Sequence, residues 1–106
     1  MFIVEGNQKT LHRTLKDLPW KNVPFTSWVD TGHGRRVRRT VKAIEAPAWV
    51  DFPAAAQVVQ LRRTRTIKSR KHVEVVYLIC SLPMTDAQPE TIAAWIQGHW
   101  GIENRL

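Results

Sequence analysis

The sequence predicts an α+β domain, and three observations predict it. Two runs rich in β-branched and apolar residues fill the middle, each broken by a short turn cluster, as antiparallel hairpins are. Leucines near the start and isoleucines near the end recur at helical spacing, so a helix lies on either side of the hairpins. A chain of 106 residues supplies one core rather than two, so residues 1–106 are read as a single domain.

The elements follow in order. Phe2-Ile3-Val4 is a brief apolar run stopped by Gly6-Asn7 and reads as a strand and turn. Over residues 8–18, Leu11, Leu15 and Leu18 share a stripe, with Lys9, His12, Arg13 and Lys16 on the other faces. That is an amphipathic helix, ended by Pro19 because proline lacks the N–H that would continue it. Residues 1–18 thus form a strand–helix unit, and residues 19–25 a connector containing Trp and Pro.

From 26 to 46 the pattern is β. Trp28-Val29 leads into the turn cluster Thr31-Gly32-His33-Gly34, and a long basic strand follows. His33 reads as a turn residue. Pro47, Pro53 and Ala54 to Ala56 suggest a loop or one helical turn. Residues 57–67 and 72–82 are β-rich, with the polar link Lys68-Ser69-Arg70-Lys71 between them: a second hairpin. The later run is apolar on both faces, which predicts a central strand. The earlier run carries Arg62, Arg63 and Arg65, so at least one of its faces must be wet. Residues 26–82 are therefore read as one antiparallel β unit.

Thr85 or Asp86 is placed to cap the last helix, with Pro89 and Glu90 in its first turn. That helix is expected over residues 86–106. Its stripe is Ile92, Ile96, His99, Glu103 and Leu106, which turns from apolar to polar along its length. Gly98 and Gly101 weaken it by about 1 kcal/mol each relative to alanine. Trp28, Trp49 and Trp95 adjoin apolar residues and are expected to pack. The chain stops without a helix-ending signal and opens on a strand with no sequence-adjacent parallel partner, so both ends read as cut.

Net charge is +7, with an isoelectric point near 10.3. Such a balance favours an anionic partner, nucleic acid before membrane headgroups. The β unit concentrates the charge. Arg36, Arg38, Thr40 and Lys42 alternate onto one face of the basic strand, and Arg35, Val37, Arg39 and Val41 onto the other. Arginine forks suit phosphate oxygens, and contacts of this kind position a backbone rather than read its bases. The competing explanation is a solvated sheet edge guarded by charge.

Other chemistries are argued against. The one cysteine, Cys80, lies in an apolar run and reads as a small buried residue. Nothing near it in sequence favours a thiolate, and it has no cysteine with which to form an intrachain disulfide. The four histidines are scattered with no cysteine pair, so no zinc pattern is readable. No signal peptide and no membrane span are evident. A cytoplasmic protein, with no membrane partner and no small-molecule substrate, is expected.

The last residues carry a resemblance. Trp95-Ile96-Gln97-Gly98-His99-Trp100-Gly101-Ile102-Glu103-Asn104-Arg105-Leu106 closely resembles the "RGHWGIENxLHW" signature of the ISAs-type insertion-sequence DDE transposases. Gly6-Asn7-Gln8 with Leu11 looks like the family's "KGNQxxL" strand end. Gly32-His33-Gly34-Arg35 with Arg38-Arg39-Thr40 looks like its "GHGRxExR" hairpin, and Ser81-Leu82-Pro83 like its "SLP" element. These pieces fall in the family's order across nearly the whole chain.

The resemblance implies the C-terminal part of an RNase H-like catalytic domain: a partial core, an antiparallel β-sheet insertion and a C-terminal helix. It implies DNA transposition by cleavage and transfer of strands, with two aspartates and a glutamate holding two Mg²⁺ or Mn²⁺ ions. Glu103 falls on that glutamate and is the candidate catalytic and metal-binding residue. The two aspartates precede the Gly-Asn-Gln element in the family, and no residue of this chain matches them. Gln97 and Glu5 stand where the family has arginine and lysine, and Val37 where glutamate is frequent. The chain alone is therefore expected to be inactive and to bind no metal tightly.

The expected DNA-binding residues are Arg35, Arg36, Arg38, Arg39, Lys42 and His99. Two alternatives stay open: a non-catalytic basic module for nucleic acid, and a remnant that associates with a full-length transposase or with its own copies. With the family's neighbouring strands missing, either self-association follows, or the last helix folds back onto the β unit.

Overall fold

The computed structural model describes residues 2–4, 8–32, 35–50, 52 and 54–98. The elements are β1 (Phe2–Val4), α1 (Lys9–Lys16), β2 (Phe25–Gly32), β3 (Arg35–Glu45), β4 (Gln57–Ile67), β5 (Arg70–Cys80) and α2 (Pro89–Gly98). The five strands make one sheet in the order β1-β5-β4-β3-β2, antiparallel throughout. The protein is thus a small α+β domain. The expected first strand is not separate from the β unit: Phe2, Ile3 and Val4 pair with Ile79, Leu78 and Tyr77 and extend the same sheet.

Both hairpins lie where their turn residues place them. β4 and β5 are joined by Lys68 and Ser69 alone, at φ 50° and 66°. Positive φ at both central residues matches the right-handed twist of the flanking strands. It also costs a side chain with a Cβ some strain at each position. β5 lies between β1 and β4, but β1 pairs only with Tyr77, Leu78 and Ile79. The middle strand is β4, and the expected burial of β5 on both faces holds only from Tyr77 to Cys80, with Val73 and Val75 exposed.

The sheet is covered on both faces, but over only half its length. On one face α1, the loop after it and the β3–β4 connection pack onto the sheet, with Leu15, Leu18, Trp20 and Val50 against Val4, Val58, Tyr77 and Ile79. Trp20 closes this layer. Its ring lies 6.0 Å from that of Tyr77, and its Nε1 donates to the carbonyl of Leu15, 2.9 Å away. The same carbonyl, in the last helical turn, also accepts from the Leu18 N–H at 3.3 Å. On the other face α2 lays Ile92, Ala93 and Ile96 over Val41, Ala43, Val59, Leu61 and Leu78. Each fully buried isoleucine contributes roughly 1.5–3 kcal/mol.

Gln57 ties the two ends of this arrangement together. Its side chain is fully buried, and its Nε2 donates to the carbonyls of Leu82 and Ala87, 2.9 and 2.8 Å away. Those carbonyls belong to the segment leading into α2, so the first residue of β4 sets where that helix begins. The last helix thus folds back onto the β unit, with Ile96 buried within its own chain.

Several expectations are corrected. The helix starts at Pro89, as its first-turn residues predicted, but the cap residues are misplaced: Thr85 and Asp86 lie in a turn in which the Asp86 N–H bonds the Pro83 carbonyl. Trp49 is 57% exposed and Trp95 36%, so neither is the packing residue its apolar neighbours suggested. Trp28 is half-buried beside α2, and among the described residues the buried tryptophan is Trp20. The reason is geometric. Ile92, Ala93 and Ile96 face the sheet, and Trp95, one residue before Ile96 on the side away from Ala93, is turned about 100° from it to the margin of that face. Among the described residues no helix is long and apolar enough to cross a membrane.

Candidate nucleic-acid interface

Strand parity and register together determine which basic residues meet. On β3 the even-numbered residues share one face; through the pairs Thr40↔Arg62, Arg38↔Thr64 and Arg36↔Thr66 they join the even-numbered residues of β4. Thr64↔Val73 and Thr66↔Lys71 add the odd-numbered residues of β5. Val29↔Arg38 and Phe25↔Lys42 add the odd-numbered residues of β2. One sheet face therefore carries Arg36, Arg38, Lys42, Arg62 and Lys71. None of the strand positions on this face is Asp or Glu.

This is the face that α1 covers near Tyr77 and leaves open farther along. An open groove of about 500 Å³ runs over it, with Arg38, Lys42, Arg62 and Lys71 among its walls. A smaller hollow of about 100 Å³ continues past Arg36, Arg38 and Lys71. Arg36, Arg38, Arg62 and Lys71 are exposed. Lys42 is half-buried, and its Nζ donates to the Trp20 carbonyl at 2.9 Å. It therefore holds the connector against β3 as well as lending its charge to the groove.

The opposite face of the same strands is different. Trp28, Arg39, Arg63 and Glu74 form a single row across β2, β3, β4 and β5. Glu74 lies 3.8 Å from the Arg63 guanidinium, and Arg65 donates to it at 2.5 Å. These side chains are half-buried beyond the end of the apolar core. The Nε atoms of Trp28 and Arg65 have no hydrogen-bond partner among the described residues.

The six sequence-predicted DNA-binding residues are thus divided. Arg36, Arg38 and Lys42 come together on the open face. Arg35 is exposed and Arg39 half-buried, both with the parity of the other face. His99 lies outside the described residues, as do Glu103, His33 and the Gly6-Asn7 turn. Arg62 and Lys71 are visible in the sequence as basic residues of the second hairpin, but their union with Arg36 and Arg38 needs the register. Phe25, 64% exposed at the groove, falls within the connector by sequence and is not singled out there. Its signal is an aromatic residue following Pro24 with no apolar stripe to join.

Among the described residues no three of His, Cys, Asp and Glu come close enough to hold a metal ion. Glu103, the residue on which the divalent-metal site implied by the resemblance rests, lies outside them. Cys80 is buried, with its Sγ directed at the Leu82 carbonyl. No protein-family model, no curated protein and no solved structure matches this chain.

Proposed function

We propose that this domain holds nucleic acid by its phosphate backbone, on the open face of β2–β5, as part of an ISAs-type insertion-sequence transposase. One observation carries the binding half of that reading. Five cations gather on a sheet face with no carboxylate at its strand positions, and Arg36, Arg38 and Arg62 stand on β3 and β4, which are interior strands. Charge that guards against edge-to-edge pairing belongs on edge strands. There Arg38 and Arg62 are diagonal neighbours across the ladder, each opposite a threonine, so their charges add to one positive field that an anionic partner neutralises.

The transposase half rests on the His-Trp-Gly-Ile-Glu-Asn run and the ordered motifs before it. On this reading the sheet is the antiparallel insertion of an RNase H-like domain, and Glu103 is the glutamate of its metal site. The described residues are assigned binding and positioning, not cleavage. A gene flanked by inverted repeats, with a reading frame for two aspartates upstream, would support that assignment; a gene free of both would favour the plain binding module.

Binding is tested by titrating the full chain against labelled DNA at several salt concentrations. Affinity should fall steeply with salt, because each neutralised phosphate releases counterions. Arg36→Ala, Arg38→Ala and Arg62→Ala combined should flatten the salt slope on duplex DNA by about 0.9 for each phosphate left without its cation. Binding indifferent to salt and to the triple variant would overturn the proposal.

A further inference from the structure

The cationic floor of the groove has apolar rims. Four aligned rows cross it from β2 to β5. Phe25 stands at the β2 end of the row through Lys42, and Val29 at the β2 end of the row through Arg38. Val73 and Val75 stand at the β5 ends of the rows through Thr64 and Arg62. These four are exposed: Phe25 64%, Val73 49%, Val29 40% and Val75 40%. Arg36, Arg38, Lys42 and Arg62 lie between them, on β3 and β4, and Lys71 stands on β5 beside Val73.

A duplex shows a protein its phosphates and groove edges, and its base faces are stacked away. A duplex offers exposed apolar side chains beside the cations its sugar edges and thymine methyls but no base face on which to stack. A single strand offers phosphates and free base faces together. Proteins that hold single strands combine a positive groove for the backbone with aromatic side chains on which bases stack. We propose that this face takes a single-stranded or locally unpaired segment. Its backbone lies over Arg36, Arg38 and Arg62, and one base stacks on Phe25. The aliphatic rim at Val73 and Val75 meets a base on the opposite side. This rests on the nucleic-acid reading above and narrows it to a substrate class.

Phe25 lies at the start of edge strand β2, and its side chain is mostly in solvent, so its replacement leaves the core intact. The experiment measures fluorescence anisotropy of a labelled oligothymidylate and of a duplex of equal length, each titrated with the full chain. The single strand should bind more tightly. Phe25→Ala should weaken it roughly five- to a hundredfold, the range of one base–aromatic stack, and Phe25→Trp should restore it. Duplex affinity should change less than about twofold, since phosphate contacts carry it. Preference for the duplex, or indifference of the single strand to Phe25→Ala, would overturn this inference and leave the phosphate-binding reading standing. Failure of both probes to bind would overturn the two together.

Discussion

The two faces of the outer hairpins share strands, register and an excess of arginine, yet they use arginine in opposite ways. On one face Arg36, Arg38 and Arg62 project into solvent beside threonines and valines, with no carboxylate in any of the aligned rows. On the other, Arg63 and Arg65 are drawn in around Glu74. The difference teaches that basic residues in a strand are not one population. Where a carboxylate shares the row, guanidinium groups become part of the structure. Where none does, their charge is left for a ligand.

The largest test of that contrast removes the carboxylate. Glu74→Ala should remove the carboxylate that lies beside Arg63 and Arg65 while Arg39 still faces Arg63 across the ladder. Directly opposed like charges destabilise a sheet, and removing one partner of a partly buried pair uncovers the other. A loss of about 1–3 kcal/mol in urea unfolding is expected, at the lower end because Glu74 is 27% exposed. Stability unchanged within about 0.5 kcal/mol would show that this face is as loosely held as the other. A second variant, Arg63→Leu with Glu74→Leu, should recover much of the loss, since apolar residues of similar volume replace such pairs at little cost.

A smaller effect is expected at the residue that belongs to both classes. Lys42→Ala removes the hydrogen bond to the Trp20 carbonyl and one charge of the groove. It should cost about 1 kcal/mol of stability and also weaken DNA binding, whereas Arg38→Ala should do only the latter. Thermal unfolding followed by a salt titration separates the two outcomes.

The smallest effect concerns the turn that both faces share. Lys68→Asn with Ser69→Gly places the residues best suited to positive φ where Lys68 and Ser69 now stand. A gain of about 0.5–1 kcal/mol is expected, with DNA affinity unaltered, because neither residue borders the groove. A loss of affinity would mean that the turn itself touches the ligand.

Much of this was legible in the residues. Alternation and turn clusters gave both hairpins because a half-buried strand repeats every two residues. The double apolar faces of β5 marked an interior strand. Leu15 and Ile92–Ile96 gave two helix stripes, because helical spacing is a local property. The glutamate expected to be catalytic was legible only through resemblance, since Glu103 alone is indistinguishable from any helix carboxylate.

The sequence by itself determined the elements, their order, the parity that divides Arg36 and Arg38 from Arg35 and Arg39, and the positive balance that favours an anionic partner. Tertiary structure alone decided the rest. That β1 joins the same sheet, that Gln57 sets the start of α2, and that Trp20 rather than Trp49 is buried all depend on residues far apart in the chain. So does the groove: the pairs Thr40↔Arg62 and Phe25↔Lys42 fix which cations share a surface with which aromatic ring. A strand dictates its own two faces, but a neighbouring strand can slide along it by two residues without changing either. Only the closed set of hydrogen bonds and the packed core beneath them select one register.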